Sequence, residues 1–212
     1  MKTLMLSLAL VVTSALGANA SPEDQLIADL SRCDSSFFST LAQRAGDYAG
    51  NPYLRVRGSY AYFEVADRSN SKLSMRRFEN GLRFGNLQAV AYFDELAGMG
   101  DNGAAVSWGF LIEAPIGEVV SATENLVWDR QRLRKDGNVF VRSEIWTHSE
   151  AERGWQPAVA PGGEVPKQGT VERVLLIEPY EEDASFTRFG CSLQGDVSRE
   201  MLRSARPDLG IE

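Results

Sequence analysis

"GMGDNGAAVSWGFLIE", residues 98–113, opens with the spacing G-x-G-x-x-G and continues into an apolar run. A dinucleotide-binding loop has that glycine spacing. It also needs a helix directly after the glycines, because the helix N-terminus carries the pyrophosphate. Here the residues after Gly103 alternate instead. Val106, Trp108, Phe110 and Ile112 lie on one face, with Ser107, Gly109 and Glu113 on the other. A period of two is that of a half-buried strand. Asp101-Asn102-Gly103 then reads as turn chemistry joining strands 86–96 and 104–113. The reading predicts a hairpin and no nicotinamide or flavin cofactor.

Working outward from this hairpin, strand patterns recur at 54–57, 60–65, 73–79, 126–134, 138–147, 170–178 and 184–193. The connections are mostly short, which favours antiparallel neighbours over βαβ crossovers. Asp136-Gly137 suits a two-residue hairpin loop. Ile116, Val119, Val120 and Thr123 have helical spacing. At the N-terminal side, Ser21-Pro22-Glu23-Asp24 is a helix start, and apolar residues from Leu26 to Tyr48 recur at helical intervals. Asp34 or Ser35 recaps the chain, giving two helices broken at Cys33, and Asn51-Pro52 ends the region. Asp196 is placed to cap a short last helix that stops before Pro207. The predicted fold is α+β: N-terminal helices on a curved, largely antiparallel sheet of about eight strands, with a short C-terminal helix. A closed, barrel-like sheet of the lipocalin kind is the alternative, although the early G-x-W of that family is absent, since Gly58 is followed by Ser59 and Tyr60.

Residues 1–20 combine Lys2, an apolar run from Leu4 to Leu16, and the small-x-small pattern Ala18-Asn19-Ala20. This is the pattern of a secretory signal peptide. It predicts a mature single domain, 21–212, in the periplasm or outside the cell, with no integral membrane span after cleavage. Lys2 is the only charged residue removed, so the remainder carries 21 bases against 29 acids, a net charge of −8. That balance argues against nucleic-acid binding. Cys33 and Cys191, the only cysteines, are predicted to form a disulfide in an oxidising compartment.

Reactive motifs are scarce. His148 is the only histidine, and there is no G-x-S-x-G, H-E-x-x-H or P-loop. No metal site is predicted, and the acidic run Glu181-Glu182-Asp183 reads as a solvated turn. With a turn centred on Asp136-Gly137, Asp129 would face Glu144 across a ladder. Arg142 would be a diagonal neighbour and His148 would share the strand face. Asp129, Arg142, Glu144 and His148 are therefore candidate binding residues, and a hydrolase built on the two acids is one alternative function. Trp108 and Trp128 are expected in the core. Trp155 lies in the Gly- and Pro-rich stretch 149–169, where it serves either as a partner anchor or as a lid over the sheet. The leading expectation is a non-enzymatic binding or interaction protein whose partner is another envelope protein. The other alternative is a carrier of a small apolar ligand, lined by Tyr60, Tyr62, Phe63, Phe84, Tyr92, Phe93 and Trp108.

Overall fold

The first helix, α1 (Pro22–Leu30), carries Glu23 and Asp24 in its first turn, where the helix dipole favours acids. Leu26, Ile27 and Leu30 form its fully buried stripe. In this computed structural model, which describes residues 22–149, 154–158 and 166–209, the chain then turns sharply at Cys33, with φ at 57°. Asp34 restarts it: its Oδ1 accepts the Ser36 amide at 2.9 Å, at the start of α2 (Ser36–Gln43). Phe37, Phe38 and Leu41 on α2 are fully buried. The helix pair is thus as predicted.

The main sheet has eight strands. These are β3 (Met75–Phe84), β4 (Leu87–Gly98), β5 (Ala104–Ile112), β6 (Arg134–Asp136), β7 (Val139–Ser149), β8 (Gly154–Ala158), β9 (Thr170–Tyr180) and β10 (Asp183–Gly195). Their order is β3-β4-β5-β10-β9-β7-β6, with β8 also paired to β7, and every ladder is antiparallel. The sheet is open rather than a closed barrel, since β3 and β6 are edges that do not pair. A separate hairpin of β1 (Leu54–Arg57) and β2 (Tyr60–Phe63) lies beside it, and α3 (Ile116–Thr123) and α4 (Arg199–Ala205) complete the α+β fold.

The glycine-rich stretch is a hairpin loop. Gly98 pairs with Ala104 across β4 and β5, and the Met99 amide donates to the Gly103 carbonyl at 2.8 Å. Gly103 has φ 91°, and a Cβ there would sit 1.9 Å from the Gly195 carbonyl oxygen, so the chain accepts no side chain at this crossing.

Val106, Trp108, Phe110 and Ile112 all point to the buried helical side, as the alternation requires. Trp108 is 6.2 Å from Phe38, and Phe110 is 5.9 Å from Phe37 and 5.1 Å from Phe84. Phe63 of β2 closes on Tyr92 at 5.4 Å. Most of the aromatic side chains expected to line a ligand cavity therefore pack on one another as core. Phe93 is on the opposite face, covering Gly109 and Gly190, with the Arg188 guanidinium 4.0 Å from its ring.

The Cys33–Cys191 disulfide ties the turn between α1 and α2 to β10, with a Cα–Cα distance of 5.3 Å. It closes a separation of 158 residues. A second tie is ionic. Arg206 is fully buried, donating to Asp208 at 2.8 and 2.9 Å and to Asp94 at 2.8 Å, while Arg68 reaches Asp94 at 2.7 Å. Two acids and two arginines balance in charge, and the Arg206 guanidinium lies against both Phe38 and Trp108, 5.2 and 4.8 Å from their ring centroids. Burial opposes the charged form of Arg206, but Asp94 and Asp208 outweigh it and raise its pKa further above its ordinary value.

Three expectations are corrected. Residues 126–134 are not a strand: Asp129 has φ 52° and begins a 3-10 turn over Arg130–Arg132, so only Arg134–Asp136 pairs. The left-handed turn at Asp129 and the 3-10 turn after it hold these residues out of the ladder, so the chain joins β7 only at Val139–Val141, while β8 pairs with β7 at Ile145–Ser149. The hairpin loop is Gly137-Asn138, because Asp136 pairs with Val139 and Lys135 with Phe140. Gly137, at φ 59°, occupies its first position. Finally, the cap of α4 is Ser198, whose hydroxyl accepts the Met201 amide at 3.2 Å, while the Asp196 amide donates to the Thr170 carbonyl. Residues 1–21, most of the stretch 149–169, and 210–212 lie outside the described residues, the signal segment among them.

Candidate functional site

The acid pair expected at 129 and 144 is not made. Asp129 sits outside the ladder with Arg132 Nη1 at 3.8 Å. The residue opposite Glu144 is Arg173 of β9. Glu144 Oε2 accepts from Arg173 Nε at 3.0 Å and from Nη2 at 2.5 Å, and Oε1 accepts from Arg142 Nη1 at 2.6 Å. Burial alone would raise the Glu144 pKa, but the hydrogen bonds and charge of Arg173, with the charges of Arg142 and Arg132, reverse this, and the net shift is downward. An ionised carboxylate held by two arginines is a poor proton donor. The paired-carboxylate basis of the hydrolase alternative is therefore missing.

Arg142 is fully buried and serves as a brace. Its Nη2 donates to the Ser31 carbonyl at 2.8 Å, and its guanidinium lies 4.8 Å from the Trp128 ring. Ser31 also accepts the Trp128 amide on its hydroxyl at 2.8 Å. Trp128 is consequently not core: it is 37 % exposed and lies over the two arginines Arg32 and Arg142. An indole can satisfy its apolar face against a guanidinium plane as well as against other rings.

His148 and Trp155 do meet. They are register partners on β7 and β8, with ring centroids 5.5 Å apart at 73°. The Trp155 indole N–H donates to Ser198 Oγ at 3.0 Å, so this tryptophan joins the outer strand to the cap of α4.

That junction borders a cleft of about 410 Å³. Trp146 and Trp155 contribute aromatic surface, Asp34, Ser35 and Ser36 come from the start of α2, and Glu200, Met201 and Ser204 come from α4. Arg173 also lines it, its guanidinium 5.0 Å from the Trp146 ring. The Trp146 indole N–H is buried with no hydrogen-bond partner, and the Ser35 hydroxyl makes no capping bond. Glu144 lies behind this surface, fixing the orientation of Arg173.

Sequence reasoning missed Trp146, Arg173 and the α4 residues as members of this site. The alternation of Glu144, Trp146 and His148 on one strand face was a usable signal for Trp146. Nothing local connects 173 or 200–204 to that face, since β9 and α4 arrive only through tertiary packing. Among the described residues no cluster of three or more metal-ligating side chains occurs, and no helix is long and apolar enough to cross a membrane. The sequence matches no protein-family model, and no curated protein shows significant similarity to it.

Proposed function

We propose that this is an exported binding protein of the cell envelope that recognises its ligand or partner by contact in the cleft between Trp146 and Trp155. The export element of the reading rests on the signal-peptide pattern of residues 1–20 and is supported by the disulfide, which suits an oxidising compartment. The binding element rests on one observation: a concave surface bordered by Trp146 and Trp155, with Arg173 held in place there by Glu144. A few fixed polar groups set among aromatic surface are the usual make-up of a recognition site. In this reading the partner is another envelope molecule, held by contact.

Two measurements test the reading. The N-terminus of protein recovered from the envelope fraction is expected at Ser21. Pull-down from envelope extract with wild type and Trp155→Ala is expected to give material captured by the former only. Identical capture by both, or none by either, overturns the cleft as the contact surface.

A further inference from the structure

We infer that Asn80 is a site of spontaneous modification, losing its side-chain amide by reaction with the backbone of Gly81. The inference does not draw on the cleft. The sequence has two Asn-Gly steps, Asn80–Gly81 and Asn102–Gly103. Such steps are reactive because glycine has no side chain to shield its backbone nitrogen. The deprotonated glycine nitrogen attacks the carbonyl carbon of the asparagine side chain. A five-membered imide ring closes, and the side-chain nitrogen leaves as ammonia with the proton. Water then opens the ring at either carbonyl, leaving an aspartyl or an isoaspartyl residue. Water is the only co-reactant, and nothing is oxidised or reduced.

Both asparagines are exposed, so access of solvent does not separate them. The attacking nitrogen does. Asn102 ends a 3-10 turn, Gly100–Asn102, and the Gly103 amide donates to the Gly100 carbonyl at 3.2 Å. Gly103 is also held against the Gly195 carbonyl, which opposes any rotation there. Asn80 stands instead in the bulge of the edge strand β3. Arg77 pairs with Ala91 and Leu82 with Ala89, so Phe78 to Gly81 lie outside the register opposite Val90. No described strand pairs with the other side of β3. Rotating Asn80 toward attack therefore leaves the flanking pairs in place. The product is accommodated for the same reason: the isoaspartyl form lengthens the main chain by a methylene, and a bulge already holds extra chain. At position 102 the same insertion would fall inside the Met99–Gly103 hydrogen bond that closes the β4–β5 loop.

The test incubates the mature protein in mildly alkaline buffer and follows both positions by peptide mapping, with isoaspartate identified by electron-transfer fragmentation. A sample unfolded in urea gives the intrinsic rate of each step. Relative to those rates, folded protein is expected to convert at Asn80 at least about tenfold faster than at Asn102, the factor for losing one hydrogen bond with its local contacts. Asn80→Gln is expected to remove the acidic species that builds up on isoelectric focusing, and Asn102→Gln to leave it. Equal relative rates in the folded protein, faster conversion at Asn102, or an acidic species that persists in Asn80→Gln overturns the inference.

Discussion

Glu144 and Arg173 face each other across β7 and β9, and Arg142, two residues along from Glu144, clasps the other carboxylate oxygen. Removing the carboxylate leaves two guanidinium groups at close quarters, one of them fully buried. Glu144→Gln is therefore expected to destabilise the fold by about 3 kcal/mol, as for other broken buried pairs. Asp129→Asn, at a half-exposed turn, is expected to cost well under about 1 kcal/mol. Thermal melts of the two variants separate a brace from a catalytic acid.

The same pair carries a pH dependence. Because the folded-state pKa of Glu144 is lowered, its stabilisation is full above the ordinary carboxylate range and is lost as pH falls through the folded value. The gap in melting temperature between wild type and Glu144→Gln is expected to be wide at neutral pH and to narrow below about pH 4. A gap that widens on acidification contradicts the geometry.

Arg206 is predicted to be the most sensitive charged position near the C-terminus. Arg206→Met removes the buried cation between Asp94 and Asp208, leaving Arg68 alone to balance two acids, and is expected to cost about 3 kcal/mol. Arg206→Lys keeps the charge but loses the planar fork between the acids and the guanidinium contact with Phe38 and Trp108. Urea titration should therefore place the Lys variant between wild type and Met.

The disulfide closes so long a loop that chain entropy alone assigns it about 5 kcal/mol, an upper figure. Reduction, or the double change Cys33→Ser with Cys191→Ser, is expected to lower the denaturation midpoint markedly. Denatured, unreduced protein should contain no titratable thiol.

Gly103 offers a test of the hairpin itself. Gly103→Ala forces a methyl against the Gly195 carbonyl at φ 91° and is expected to cost about 2–4 kcal/mol. Gly58, at φ 59°, opens to free space, so Gly58→Ala is expected to cost only about 1 kcal/mol. Comparable melting temperatures for the two variants would contradict the close approach of the β4–β5 loop to the end of β10.

Local patterns carried much of the architecture. The alternation in 104–113 identified a core strand and its buried face, and the break at Cys33 with recapping at Asp34 marked two helices. These signals survive folding because each depends on a period or a turn within a few residues. The site was less legible. Trp128 has the apolar spacing of a core residue, yet two arginines from elsewhere in the chain cover it. Glu144 was singled out correctly as unusual, but with the wrong neighbour. Shifting the hairpin loop by one residue and turning the chain out of the ladder at Asp129 left Arg173, across the other edge of β7, as its governing contact.

Composition and short-range periodicity were sufficient for the α+β class, the antiparallel β4–β5 hairpin and the pairing of the only two cysteines, since each is specified by neighbours in sequence or by having a single available partner. Which strand won each edge of β7, which charges met in the interior, and where two tryptophans came to border a cleft were settled only by packing. Hydrogen-bonding edges and buried volume can each be filled once, so segments far apart in the chain compete for them, and the outcome depends on the energy of the whole assembly rather than on any local pattern.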